Sequence, residues 1–117
     1  MVAVVEDDSS FRRALSRSLT IRGFRIYDYD SAEEFLRRHP TEPSDCIVLD
    51  IHLGGMSGFE LQAELAARGA QIPIVFITAF DDPATRRHAQ DVGAAGYFQK
   101  PFDDQSLVDT INRVARR

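Results

Sequence analysis

The chain has 117 residues, of which 44% are hydrophobic, and 18 acidic against 14 basic side chains give a net charge of −4 at pH 7. This length fits one compact domain over residues 1–117, and the net acidity argues against direct DNA binding, which needs a basic face. Cys46, the one cysteine, excludes an internal disulfide, and since no apolar run approaches the ~18 residues that span a bilayer, we expect a cytoplasmic protein without membrane contact.

Five short apolar runs alternate with five segments of helical spacing along the chain. The predicted strands cover residues 1–5, 24–29, 45–50, 72–78 and 96–99. Strands that alternate with helices predict an α/β fold of (βα)5 type, in which helices cover both faces of a parallel sheet.

The first two predicted helices have clear boundary residues. Ser9 or Ser10 is predicted to cap the first helix, and Gly23 ends it. The predicted buried stripe of this helix comprises Phe11, Leu15, Ser18 with Leu19, and Arg22. Ser31 and Glu34 have the spacing of a capping box for the second helix, which presents Phe35 and Leu36 inward and ends at Pro40.

The other three helices follow the last three strands. Gly54, Gly55 and Gly58 predict a flexible loop, and a helix over residues 59–68 then ends at Gly69. Asp82 and Pro83 predict the start of the fourth helix, which ends at Gly93. The fifth helix is predicted over residues 104–117, with one apolar side made of Leu107, Val108, Ile111 and Val114.

Charged and hydroxyl side chains stand where the apolar runs end. Glu6-Asp7-Asp8 follow the first run, Asp50 ends the third, Thr78 ends the fourth and Lys100 follows the fifth. Because ligands of open parallel sheets bind at the carboxyl ends of the strands, we expect these side chains to converge at one edge.

A cluster of carboxylates needs a cation, because neighbouring acids raise one another's pKa. Lys100, the only lysine beside thirteen arginines, supplies one positive charge, and oxygen ligands from Glu6, Asp7 and Asp50 suit Mg²⁺. A carboxylate beside Mg²⁺ can attack phosphorus, while the metal, a lysine and a hydroxyl neutralise the phosphoryl oxygens. The predicted chemistry is therefore formation of an aspartyl phosphate.

Five motifs carry a resemblance that covers essentially the whole chain. They are VVED at residues 4–7, IVLDI at 47–51, MSG at 56–58, IVFITA at 74–79 and GAAGYFQKPF at 93–102. In this order and spacing the chain resembles the receiver domain of two-component response regulators. The resemblance implies a flavodoxin-like, doubly wound sheet of five parallel strands in the order 2-1-3-4-5.

The resemblance also implies a phosphoacceptor and a metal site. Asp50 would accept a phosphoryl group from a sensor histidine kinase. Mg²⁺ would be bound by Asp7, by Asp50, by the backbone carbonyl of His52 and, through water, by Glu6.

The resemblance further implies how the signal leaves the site. Thr78 would bind the phosphate, Lys100 would pair with it, and Tyr97 would be the switch aromatic that turns inward. The face made by the fourth helix, fifth strand and fifth helix would then bind an output domain or protein, or a second copy of the chain. DNA would be reached only through a domain absent from this chain, with transcription as the output.

Several residues depart from the family pattern. Glu6 stands where aspartate is commoner, Gly54 where proline is usual, and Ser57 where aspartate is frequent, so the loop after Asp50 is expected to be more mobile. His52 and Phe80 occupy the positions that flank the phosphate in this family and affect how fast it is lost.

Two alternative functions remain open from the sequence. A Mg²⁺-dependent phosphohydrolase with Asp50 as nucleophile usually carries a second acid two residues later, where this chain has His52. A pseudo-receiver that acts only as a binding module would not need Asp50, Thr78 and Lys100 together. We expect a phosphoacceptor that loses its own phosphate and is not a turnover enzyme.

Overall fold

The structure is a computed structural model that describes residues 1–115. The strands are β1 (Val2–Val5), β2 (Ile26–Tyr29), β3 (Cys46–Asp50), β4 (Ile74–Thr78) and β5 (Gly96–Gln99). The helices are α1 (Ser9–Ile21), α2 (Ala32–Arg38), α3 (Gly58–Ala67), α4 (Pro83–Asp91) and α5 (Asp104–Ala115). All strand pairs are parallel, in the order β2-β1-β3-β4-β5, which confirms the predicted flavodoxin-like (βα)5 fold.

The central strands are covered on both faces. Every residue of β1, β3 and β4 is buried, as expected of uninterrupted apolar runs in a parallel sheet. Successive residues of β1 alternate between two core clusters, one packed with α1 and α5 and the other with α2, α3 and α4. This burial fixes the strand register and therefore the edge at which the strands end.

The cap of α1 differs from the prediction. Asp8 caps the helix, because its carboxylate accepts hydrogen bonds from the backbone N–H groups of Ser10 and Phe11 at 3.0 and 3.1 Å. Ser9 and Ser10 are instead the first two helical residues. A carboxylate at this position also interacts favourably with the positive end of the helix dipole.

We expect Asp8→Ala to lower the free energy of unfolding by about 1 kcal/mol, since it leaves helical N–H groups without their acceptor. Urea denaturation checks this value. Asp8→Asn keeps an acceptor oxygen and should retain most of the stability, and Ser9→Ala should leave it nearly unchanged. A loss in Ser9→Ala equal to that in Asp8→Ala would contradict the cap assignment.

Arg22 also departs from the predicted buried stripe of α1. It is the exposed C-cap residue, whereas Leu15 and Leu19 are buried as predicted. Gly23 follows with a φ of 101°, in the left-handed region that glycine adopts without a steric penalty.

Only half of the predicted capping box of α2 forms. The Ser31 hydroxyl accepts the N–H of Glu34, but the Glu34 carboxylate pairs with Arg37 instead of returning to the cap. A reciprocal box is present at α3, between Ser57 and Glu60. Arg37 and Arg38 of α2 therefore pair with Glu34, which the Ser-x-x-Glu spacing predicts to bond to the N-cap backbone.

The remaining boundaries lie within a few residues of their predictions. Gly58 begins α3 and does not belong to the preceding loop. β2 and β4 begin two residues later than predicted, and β5 matches its predicted range. The last two residues of the predicted fifth helix lie outside the described residues. No helix within residues 1–115 is long and apolar enough to cross a membrane.

Candidate functional site

The predicted acids meet at the carboxyl edge of the sheet. β1 and β3 are parallel neighbours, with Val5 paired to Leu49, so the residues that follow Val5 stand beside Asp50. Carboxylate oxygens of Glu6, Asp7 and Asp50 lie within 4.8 Å of one another. The folded chain therefore brings three carboxyl groups into one small volume.

Burial makes it costly to keep the carboxyl groups of this cluster charged. Glu6 and Asp50 are 1% and 4% exposed, whereas Asp7 is exposed. Burial raises the pKa of Glu6 to about 7, against the lowering effect of hydrogen bonds from Lys100 and from the backbone of Asp8. The charge of Asp50 raises that pKa further. Without positive charge, the paired carboxylates would destabilise the fold.

Lys100 supplies positive charge from the end of β5. Its Nζ donates to Glu6 Oε1 at 2.5 Å and to Asp50 Oδ2 at 3.3 Å. Its backbone N–H donates to the Thr78 carbonyl at 2.7 Å, which continues the β4–β5 ladder, and the following bond to Pro101 is cis. Although burial lowers the pKa of Lys100, the contacts with both carboxylates leave it above its usual value.

Thr78 and Tyr97 are both held by the loop between β4 and α4. The buried Thr78 hydroxyl accepts the Phe80 N–H at 2.9 Å and donates to the Phe80 carbonyl at 3.2 Å. The Tyr97 hydroxyl donates to Asp81 Oδ1 at 2.8 Å. Burial and this hydrogen bond raise the pKa of Tyr97 to about 12. The loop between β4 and α4 therefore contacts two elements. Phe80 bonds to Thr78 at the site, and Asp81 bonds to Tyr97 on β5.

Two contacts that the sequence pattern did not predict hold the loop 51–57. The Gly54 N–H donates to Asp7 Oδ2 at 3.0 Å, and the Met56 N–H donates to Glu33 Oε2 at 2.8 Å. Proline at position 54 has no N–H and could not make the first of these bonds. The glycine that suggested a mobile loop therefore also orients one of the clustered acids.

His52 and Phe80 follow Asp50 and Thr78 by two residues each, and their rings pack together. The His52 N–H donates to Asp50 Oδ1 at 3.1 Å, and the His52 ring packs edge-to-face on Phe80 with centroids 5.2 Å apart. Phe80 is 66% exposed. The two rings thus connect the loop after β3 with the loop after β4 beside the acids.

The donor set fits a hard divalent cation. Glu6, Asp7 and Asp50 offer only oxygen ligands, and the spread of their oxygens leaves room for one ion between them. One of the three acids is exposed, so a cation has access from solvent. These residues fit Mg²⁺ better than zinc, which favours histidine and cysteine.

The family comparison agrees with this geometry. The family model described as "Response regulator receiver domain" matches residues 2–112. Nodulation protein W of Bradyrhizobium diazoefficiens is 38% identical over 117 residues, which cover 100% of this chain and 52% of that protein. Transcriptional regulatory protein TdiR of Thauera aromatica is 34% identical over 95% of this chain and 49% of that protein. The chain spans about half the length of these curated relatives.

A solved structure of a response regulator has the same fold as this chain. Response regulator StyR is 42% identical and superposes with a TM-score of 0.90, over 98% of this chain and 58% of that chain. The sequence match, the strand order and the cluster of acids at the strand ends all point to the same family. The chain therefore belongs to the family of response regulator receiver domains of two-component systems.

Proposed function

We propose that Asp50 accepts a phosphoryl group from a sensor histidine kinase, with Mg²⁺ as cofactor. The observation that carries this proposal is the position of Asp50, whose carboxylate lies 3.3 Å from the Lys100 ammonium and within 4.8 Å of carboxylate oxygens of Glu6 and Asp7. The phosphorus–nitrogen bond of a phosphohistidine breaks as an Asp50 oxygen bonds to phosphorus. The electron pair of the broken bond stays on the imidazole nitrogen.

The surrounding residues bind the metal ion and neutralise the charge of the phosphoryl oxygens. Asp7, Asp50 and the backbone carbonyl of His52 would hold Mg²⁺, and Glu6 would hold it through water. When bound, the ion supplies positive charge next to the phosphoryl oxygens. Lys100 pairs with another of these oxygens, for which its compact charge on a flexible stem is suited.

The β4–α4 loop links phosphorylation to the output surface. The Thr78 hydroxyl leaves the backbone of Phe80 and donates to the phosphoryl group, which moves the loop that carries Asp81. Because Asp81 holds the Tyr97 hydroxyl, this movement releases Tyr97 to turn inward. Phosphate shifts the population toward this state because it binds that state more tightly.

The output surface is the α4–β5–α5 face, the surface formed by α4, β5 and α5. It binds an output domain or protein, or a second copy of the chain as a homodimer. The relatives are about twice as long as this chain, and one is named a transcriptional regulator. This supports transcription as the output, with DNA bound by a domain outside this chain.

Incubation with acetyl phosphate and Mg²⁺, followed by intact-mass measurement, tests the phosphoacceptor function. We expect a phosphorylated adduct that forms with Mg²⁺, fails to form with EDTA and is released by hydroxylamine. Continuous release of free phosphate over many turnovers would favour a phosphohydrolase. No adduct under any of these conditions would favour a pseudo-receiver and overturn the proposal.

We expect Phe80→Ala to speed the loss of phosphate from Asp50 by a few-fold, because the phenyl ring restricts the approach of water beside His52. The decay of the phosphorylated protein after removal of acetyl phosphate measures this rate. Tyr27→Ala, which removes a partly exposed ring on β2, is the matched control. An unchanged rate in Phe80→Ala would show that the ring does not shield the site.

A further inference from the structure

The Lys100 ammonium has a third neighbour besides its two carboxylates. Its Nζ lies 4.3 Å from the centroid of the Phe11 ring, within the range of a cation–π interaction. The Lys100 side chain is only 16% exposed. Such interactions are strongest where the cation is shielded from water, so the ring acts on Lys100 where its effect is large.

The position of the Phe11 ring is set by several contacts. Phe11 lies in the first turn of α1, where its N–H donates to the capping carboxylate of Asp8 at 3.1 Å. Its ring packs edge-to-face with Phe102, with centroids 6.0 Å apart, and Phe102 packs against Phe98 in turn. The ring therefore presents its face to Lys100 from a fixed location between α1 and the loop after β5.

The two carboxylates alone do not determine where the ammonium rests. Nζ is 2.5 Å from Glu6 and 3.3 Å from Asp50, so the closer acceptor is not the proposed phosphoacceptor. A lysine stem has many rotamers, and ordering it opposes binding by lost entropy. A ring face attracts the ammonium but offers no hydrogen-bond acceptor that would compete with Asp50. It therefore restricts the Lys100 side chain and leaves the N–H groups of the ammonium available to the carboxylates.

We propose that Phe11 is a positioning residue that holds the Lys100 ammonium beside Asp50 through its ring face. This proposal rests on the proposed role of Lys100 as the partner of the phosphoryl group. It adds α1 to the elements that determine how readily Asp50 is modified.

The contact can be measured directly, because Lys100 is the only lysine in the sequence. Untagged protein labelled with ¹³C-lysine gives one set of side-chain signals, and the ring current of Phe11 should shift the ε-methylene protons upfield. We expect Phe11→Leu to move this signal toward that of free lysine and Phe11→Tyr to retain it. Tyr27→Leu removes an exposed ring on β2, at the edge of the sheet opposite β5, and is the matched control.

The functional measurement is the affinity for beryllofluoride, a phosphoryl mimic, in the presence of Mg²⁺. We expect Phe11→Leu to weaken binding by about three- to tenfold, and Phe11→Tyr and Tyr27→Leu to stay within about twofold of wild type. An unshifted lysine signal in Phe11→Leu, or an equal loss of affinity in Phe11→Tyr, would overturn the positioning role alone. Failure of the wild type to bind beryllofluoride would overturn the proposed function and this role with it.

Discussion

Replacing Asp50 with asparagine is expected to abolish phosphorylation by acetyl phosphate, with a loss of at least about a hundredfold in the rate of adduct formation. The carboxamide carries no negative charge with which to attack phosphorus. It also weakens the contact with Lys100, since the ammonium no longer faces an anion. Intact-mass measurement over a time course gives the rates for both proteins.

The same substitution should leave the fold intact, which makes the result interpretable. Asparagine has the shape of aspartate, and its oxygen can still accept the His52 N–H. Loss of the Lys100 contact is offset by the removal of like charge beside the buried Glu6. We expect a change in the free energy of unfolding of less than about 1 kcal/mol, measured in urea without divalent cations.

Asp91→Asn is the matched control for Asp50→Asn. Asp91 is exposed at the end of α4, so this substitution removes one negative charge away from the acidic cluster. It should be phosphorylated at the wild-type rate. Equal labelling of Asp50→Asn would move the phosphoacceptor to another residue, with the exposed Asp7 as the next candidate.

The convergence of the acids was predictable because it depends on topology alone. An uninterrupted apolar run that ends at Asp50 indicates a central parallel strand, and parallel neighbours end at the same edge. No side-chain packing needs to be known for Glu6 and Asp50 to be placed together. The fold and the set of clustered residues could therefore be predicted from the pattern of the chain.

The local partners were not predictable in the same way. Asp8, Ser9 and Ser10 are all good N-cap residues, so composition could not choose among them. The bonds of Thr78 to Phe80 depend on the exact course of one loop, which no period in the sequence describes. Hydrogen bonds of this kind are set by tertiary geometry and appear only once the backbone is placed.

Gly58 shows the same limit, because a glycine in a sequence does not reveal why it is there. Its position among three glycines suggested a flexible loop, yet it is the first residue of α3, and its N–H donates to the Ile51 carbonyl at 2.9 Å. A Cβ atom at this position would lie 2.4 Å from the Asp50 carbonyl oxygen and 2.8 Å from the Ile51 Cα. Both neighbours are backbone atoms, so the requirement for glycine is steric.

Gly58→Ala is therefore expected to lower the free energy of unfolding by about 3 kcal/mol, at the upper end of the usual effect of overpacking. The sign of this change distinguishes a steric clash from helix propensity, since replacing glycine with alanine in an unobstructed helix raises the free energy of unfolding by roughly 0.5–1 kcal/mol. Relief of the clash requires backbone to move, either at Asp50 and Ile51 or in α3, because neither contacting atom belongs to a flexible side chain, and we expect the strand end at Asp50 to take part of this movement. We therefore also expect slower phosphorylation by acetyl phosphate in the fraction that remains folded.

Gly54→Ala is the matched control, since a Cβ atom there would meet only Asp7 Oδ2, at an ordinary contact distance of 3.7 Å. It should change the free energy of unfolding by less than about 1 kcal/mol in urea. If Gly58→Ala were as stable as Gly54→Ala, α3 would have to approach β3 less closely than it does here. If Gly58→Ala were destabilised but phosphorylated at the wild-type rate, the clash would be relieved by movement of α3, and the Asp50 backbone would keep its position.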